Sequence, residues 1–240
     1  MGFVGVEAVF FDLDDTLVDA RGSWHAGFAE VTDPLRESSP EFAALGSSGE
    51  IYEGQLRPLI IAAQLAAGSS EWSNEYARHG FRQLLGLTSG LSDPESDAIF
   101  EAYLEAWPRH LRLFDDVLPA LETLRERYCL GLISNGLGRE QRIKLDRLEL
   151  HDYFAACVIS EEIGITKPQA GIFAHALDAL GVTADVALHA GDNPCHDVAG
   201  ARDHGMRGVW VNRRGGRFDG PGEADAEVTD LGELVQLLEG

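Results

Sequence analysis

The chain has 240 residues, of which 45% are hydrophobic: enough for one large domain or a core with a smaller insert, and too apolar for global disorder. Its formal charge of −21 repels phosphate backbones and anionic lipid surfaces, which argues against nucleic acid or a membrane as partner. An anionic small molecule would have to be drawn in by a local metal or a few local cations.

Ala8-Val9-Phe10-Phe11 is an apolar run that reads as a buried strand, and it delivers the chain into Asp12-Leu13-Asp14-Asp15-Thr16. Residues 18–112 then read as helices near 24–32, 50–67, 71–85 and 94–107, split by breakers such as Ser38-Ser39-Pro40 and Gly46-Ser47-Ser48-Gly49. From Tyr128 the pattern becomes strand, loop, helix, repeated. Strands are expected at 129–133, 157–159, 186–190 and 208–211, and helices at 139–148, 169–180, 196–204 and 230–238. Such alternation implies a parallel sheet with helices on both faces. The expected fold is α/β, a Rossmann-like core from residues 1–17 and 113–240 with a helical module at 18–112. The Gly- and Arg-rich stretch 213–222 reads as a mobile, exposed loop.

Three cysteines without a CxxC spacing fit a reducing compartment and no disulfide framework. Cys129 and Cys157 lie in apolar runs and are expected in the core. Of the 19 basic residues only Lys144 and Lys167 are lysines, which suggests positions that need a compact ammonium group. No secretory signal pattern and no membrane-length apolar run is present, so a cytoplasmic protein is expected, as a monomer or a homodimer.

Four short elements fall at loops that follow strands, where open α/β sheets bind ligands. They are Asp12-x-Asp14, Ser134-Asn135-Gly136, Lys167-Pro168, and the run from Gly191 to Asp197. Together they hold what phosphoryl transfer requires: a nucleophile, cover for the phosphoryl oxygens, ligands for a divalent cation, and a proton carrier. Asp12 can attack phosphorus, and Asp14 can protonate the leaving oxygen and then deprotonate water. Asp12 and Asp192 offer hard oxygen ligands to Mg2+. Ser134, the Gly136 N–H and Lys167 can hold the phosphate. Asp15 is expected to cap a turn or helix, Thr16 to brace the loop by a hydroxyl-to-backbone bond, Asn135 to act as much as scaffold as in recognition, and His196 to start a helix.

The order DxDxT, SNG, KP, GDxxxxD resembles the haloacid dehalogenase superfamily, and Asp14 at the second acidic position points to its phosphatase branch. Core texture such as Ser160-Glu161-Glu162-Ile163-Gly164 is similar to pyrimidine 5'-nucleotidases and N-acylneuraminate-9-phosphatases. The resemblance implies that Asp12 is the nucleophile and a Mg2+ ligand. Asp14 would be the acid/base and bind Mg2+ through its carbonyl, and Asp192 would be a direct metal ligand. Ser134 and Lys167 would stabilise the phosphate, with Leu13, Asn135 and Gly136 also at the phosphate-binding loops. Asp197 would act through water or by orienting Lys167. The helical module would be a cap that selects a small phosphorylated substrate. Trp24, His25, Arg57, Trp72, Tyr76, Trp107 and Arg109 are candidates for that pocket, although helix-spaced aromatics are usually core. Two alternatives stand beside the phosphatase. In a dehalogenase the same aspartate attacks carbon, without Mg2+ or a second acid. The other is a non-catalytic module that binds a phosphometabolite on the same scaffold.

Overall fold

In a computed structural model, which describes residues 3–68 and 73–240, strand β1 (Ala8–Phe11) is buried at every position. It lies inside a six-stranded, all-parallel sheet with β2 (Cys129–Ser134), β3 (Ala156–Ile159), β4 (Ala187–Gly191), β5 (Arg207–Val211) and β6 (Ala226–Val228). The strand order is β3-β2-β1-β4-β5-β6. Phe11 is in register with Leu132 on one side and Ala190 on the other. Gly131 lies opposite Phe10, where a Cβ would come within 2.5 Å of the ring. The chain leaves β1 towards β2 on one flank and later adds β4 on the other. The reversal of strand order therefore falls between β1 and β4, the position where such sheets open a crevice at their carboxyl ends.

Two compact units divide the chain, one formed by residues 1–19 and 112–240 and the other by residues 20–111. The second is helical: α1 (Ala20–Ser38), α2 (Pro40–Ala43), α3 (Ser48–Ile51), a π-turn at Tyr52–Leu56, α4 (Arg57–Ala66), α5 (Asn74–Ser89) and α6 (Asp93–Ala106). Capping boxes start α3 at Ser47 and Glu50 and α6 at Ser92 and Glu95, and Gly90 in the left-handed region ends α5. The unit has its own core, in which Phe28, Phe81 and Phe100 meet edge-to-face at 5.8 and 5.2 Å.

Within this unit, six of the seven pocket candidates are described residues. Trp107 is buried, and Trp24 and Tyr76 pack against the core. His25 and Arg57 both reach Glu53, at 2.9 and 3.0 Å, and Arg109 pairs with Glu30. Trp72 and the start of the helix expected at 71–85 lie outside the described residues.

In the sheet unit the flanking helices are α7 (Val117–Leu124), α8 (Gly138–Arg147), α9 (Ser160–Ile163), α10 (Ala170–Leu180), α11 (Gly200–Asp203) and α12 (Leu231–Glu239). The helix expected at 196–204 is a π-turn, Pro194–Ala199, running into α11; Asn193 caps it by accepting from the Cys195 and His196 N–H groups. β6 and α7 were not expected. The stretch 213–222, expected as a mobile, exposed loop, has no helix or strand and is mostly exposed, but Arg213 ties down its start. Arg213 grips both Asp116 oxygens at 2.9 Å, donates to the Thr16 carbonyl at 2.7 Å and lies over the Phe114 ring. Nothing local in a run of Gly and Arg shows that Arg213 has a carboxylate partner at Asp116. The cysteine expectation also fails: Cys129 is exposed and Cys157 only half-buried, because both sit near the start of their strands.

Candidate active site

β1 and β4 place two carboxylates side by side across the switch point. Asp12 follows β1, and its N–H donates to Ala190 of β4 at 2.9 Å; Asp192 follows β4 directly. Asp197 comes from the π-turn after β4. One oxygen from each of Asp12, Asp192 and Asp197 lies within 4.8 Å of the others. A single lysine is threaded among them. Lys167 Nζ donates to Asp12 Oδ1 at 2.6 Å, Asp197 Oδ1 at 2.6 Å and the Ile133 carbonyl at 2.7 Å.

Burial is the largest influence on Asp12, Asp192, Asp197 and Lys167, and the partners decide the outcome. Asp12 is pushed up to about 7 by burial, with repulsion from Asp197 and, more weakly, Asp14 working against the attraction of Lys167. Asp192 is pushed up to about 9, again by burial first and then by Asp12, Asp197 and Asp15. Burial would raise Asp197 too, but Lys167 and His189 outweigh it and hold the carboxyl below the usual range. Burial would lower Lys167, and Asp12 and Asp197 more than reverse that. A buried group of three acids with one ammonium inserted is short of positive charge.

The remaining loops close around this cluster. Asn135 brackets the backbone of Lys167, donating to its carbonyl at 3.0 Å and accepting from its N–H at 2.8 Å, so its amide works here as scaffold. Gly136 has φ 142°, where a side chain is disfavoured, and a Cβ would meet Gln141 Nε2 at 2.9 Å. Its N–H, expected to face a phosphate, donates to Ser160 Oγ at 3.0 Å. Ser134 is fully buried at the end of β2. Leu13 is buried and holds the turn, its carbonyl accepting from Leu17 and Val18.

One expectation for the neighbouring turn is corrected, that for Thr16. Asp15 sits in the turn at φ 57°, and Arg214 pairs with its carboxylate at 2.9 Å. The Thr16 hydroxyl is buried without a hydrogen-bond partner among the described residues, because the backbone of this turn bonds to itself.

Three residues at the site were not singled out as site residues from sequence. His189, inside β4 and fully buried, donates from Nε2 to Asp197 Oδ1 at 3.0 Å. Burial keeps its imidazole below its ordinary pKa, which suits a neutral ring donating one N–H. Gln141 and Lys144, on α8, reach Asp14: Lys144 Nζ sits 2.7 Å from both carboxylate oxygens, and Gln141 Nε2 is 3.0 Å from Oδ2. The signal for Lys144 was present in the scarcity of lysine, since both lysines of the chain are buried against carboxylates at this site.

The family model of haloacid dehalogenase-like hydrolases matches residues 6–205, a span that takes in every residue of this cluster. The chain belongs to that family. Glyceraldehyde 3-phosphate phosphatase of Methanopyrus kandleri is 34% identical over 230 residues, covering 94% of this chain and 92% of its own length. N-acylneuraminate-9-phosphatase of Rattus norvegicus is 29% identical, covering 90% and 86%. Among solved structures, that of a 2-haloacid dehalogenase from Pseudomonas syringae superposes with a TM-score of 0.69 at 31% identity, covering 98% of each chain. The chain is thus a haloacid dehalogenase-like hydrolase whose curated relatives include phosphatases. No helix among the described residues is long and apolar enough to cross a membrane.

Proposed function

We propose that this haloacid dehalogenase-like hydrolase is a Mg2+-dependent phosphatase that cleaves a small phosphomonoester through an aspartyl phosphate on Asp12. The observation that carries the proposal is the placement of Asp12 at the strand-order reversal, tied to Lys167 and beside Asp192. Both curated relatives are named for phosphate esters of small metabolites, which supports that substrate class.

The donor set fits a hard divalent cation. Asp12 and Asp192 would supply carboxylate oxygens and Asp14 its carbonyl, a hard all-oxygen set. When bound, Mg2+ neutralises these carboxylates and the phosphoryl oxygens they face. In the reaction, an Asp12 oxygen attacks phosphorus while the bond from phosphorus to the ester oxygen breaks. Asp14 gives its proton to that departing oxygen. Water then attacks the aspartyl phosphate, its proton passes to Asp14, and the Asp12 carboxylate is released with inorganic phosphate. Lys167 holds the attacking carboxylate, and with Ser134 it faces the phosphoryl group.

The test is turnover of p-nitrophenyl phosphate by Asp12→Asn, with acid-quench trapping of the phosphoenzyme in the unaltered protein. Loss of turnover by about 10⁴-fold or more is expected, and full retained activity overturns the proposal. The dehalogenase likeness favours a second reading, attack of Asp12 on carbon. Chelation separates the two: phosphatase activity is lost with the metal, whereas dehalogenation persists.

A further inference from the structure

α8 turns two polar residues inward. Gln141 and Lys144 are three positions apart, share one helical face, and are 1% and 2% exposed. An apolar pair would satisfy packing alone, whereas a buried ammonium and a buried amide cost free energy unless every group is matched. They are matched to one target. Lys144 Nζ bonds both oxygens of Asp14 at 2.7 Å and the Gln141 Oε1 at 2.7 Å. The Gln141 amide nitrogen lies 3.0 Å from Asp14 Oδ2, 2.8 Å from Ser134 Oγ and 2.9 Å from the Asn135 carbonyl. A carboxylate held at both oxygens by one ammonium has its plane fixed, and the amide ties that plane to the serine at the end of β2.

We propose that Lys144 and Gln141 are positioning residues for proton transfer by Asp14, and that they lock the acid/base to the phosphate-binding serine. The proposal rests on the reading of Asp14 as acid/base. In the first half-reaction the Asp14 proton must reach the departing ester oxygen; in the second, the same carboxylate must take a proton from the attacking water. Both transfers need an oxygen of Asp14 aimed at one point, and the side chain on its own has two torsions free to swing away. Lys144 and Gln141 touch neither the ester oxygen nor phosphorus in this role; they act through Asp14.

Leaving-group dependence reads out the difference between positioning and mere folding. A nitrophenolate departs without a proton, whereas a methoxyphenolate or an alkoxide needs one. With aryl phosphates of graded acidity, Asp14→Asn should lose kcat/KM steeply as the leaving group worsens. Lys144→Met should reproduce that steepening, with a loss on the poorest leaving group about 10- to 100-fold larger than on p-nitrophenyl phosphate. In an Asp14→Asn background, Lys144→Met should cost almost nothing further, because a residue acting through Asp14 has nothing left to position. Gln141→Met should show the same trend more weakly.

If Lys144→Met does not fold, Lys144→Gln, which keeps an N–H donor, is carried through the same two comparisons. An Asp14→Asn variant with equal losses across the series removes Asp14 from proton transfer, and the proposal falls with that reading. A steep Asp14→Asn series beside a parallel, uniform loss in the Lys144 variant overturns the proposal alone. So does an undiminished loss in the Asp14→Asn background, or faster turnover once the lysine is gone.

Discussion

Lys167 and Asp197 form an ion pair that is buried on both sides, with Nζ 2.6 Å from Oδ1. The rest of the Asp197 carboxylate is also spoken for: His189 donates to the same oxygen and the Asn193 N–H to the other, at 2.9 Å. Asp197→Ala therefore takes one of three acceptors from a buried ammonium and the acceptor of a buried imidazole N–H at once. A loss of about 3–5 kcal/mol is expected, read as a fall in Tm of roughly 10 °C for a chain of this size. Asp197→Asn, which keeps the acceptor and most of the volume, should lose less. An unchanged Tm in both variants would show that the pair does not hold this loop.

The metal-free protein should lose stability as pH rises, and Mg2+ should offset that loss. Asp12 and Asp192, pushed up to about 7 and about 9, hold protons in the fold that the unfolded chain has already released above its ordinary value of 3.8. Between those limits the folded state binds more protons, so these two groups make the metal-free protein less stable as pH rises. Asp197, held low, acts the other way: its contribution is complete above the ordinary carboxylate range and is lost only in acid. Millimolar Mg2+ should therefore raise Tm more at about pH 9 than at about pH 6. Saturation near 100 times Kd contributes about 2.7 kcal/mol, or roughly 5–10 °C. Thermal unfolding across pH, with and without Mg2+, checks this; an increment that shrinks as pH rises contradicts it.

Gly191, the last residue of β4, has ordinary backbone angles, yet a Cβ there would overlap the Asp197 carboxylate. Gly191→Ala must push Asp197 aside, and Lys167 moves with it. A shift of about 1 Å at the reacting centre costs on the order of 10²-fold in rate. The variant should fold with a lower kcat on p-nitrophenyl phosphate, and wild-type kcat would show that the carboxylate has room to yield.

The three thiols should separate by rate. Cys129 and Cys195 are exposed, whereas Cys157 is half-buried and its thiol is pushed up, by burial first and then by Glu162 against the pull of Arg142. An aromatic disulfide reagent should modify two thiols quickly and the third slowly in the native protein, and all three at similar rates in denaturant. Three equal rates in the native protein would contradict the placement of Cys157.

Much of this was legible because the chemistry lies at strand ends, and strands announce themselves by apolar runs. Asp12, Ser134, Lys167 and Asp192 could be placed from local pattern alone, since each needs only the loop it sits on. What stayed hidden depends on a partner distant in sequence. Lys144 was marked by the scarcity of lysine, but nothing near it in sequence reveals Asp14 as its partner. Arg213 looked like a loop arginine until Asp116 was found beneath it. His189 read as one residue of an apolar strand, and its bond to Asp197 exists only because the π-turn folds back over β4. β6, only three residues long, leaves too short a trace to see.

The position of β1 also sets a timetable. The strand that carries Asp12 is synthesised before both of its neighbours, β2 and β4, which are encoded far downstream. Residues 20–111, a unit with its own core, can fold while β1 still has two open edges. Until residues 187–191 are made, one edge of a wholly apolar strand stays unpaired and open to a neighbouring nascent chain. β1 thus waits through more of the chain for its second partner than β2, β4 or β5 does, and slowing translation between β2 and β4 should make this chain depend more heavily on a chaperone.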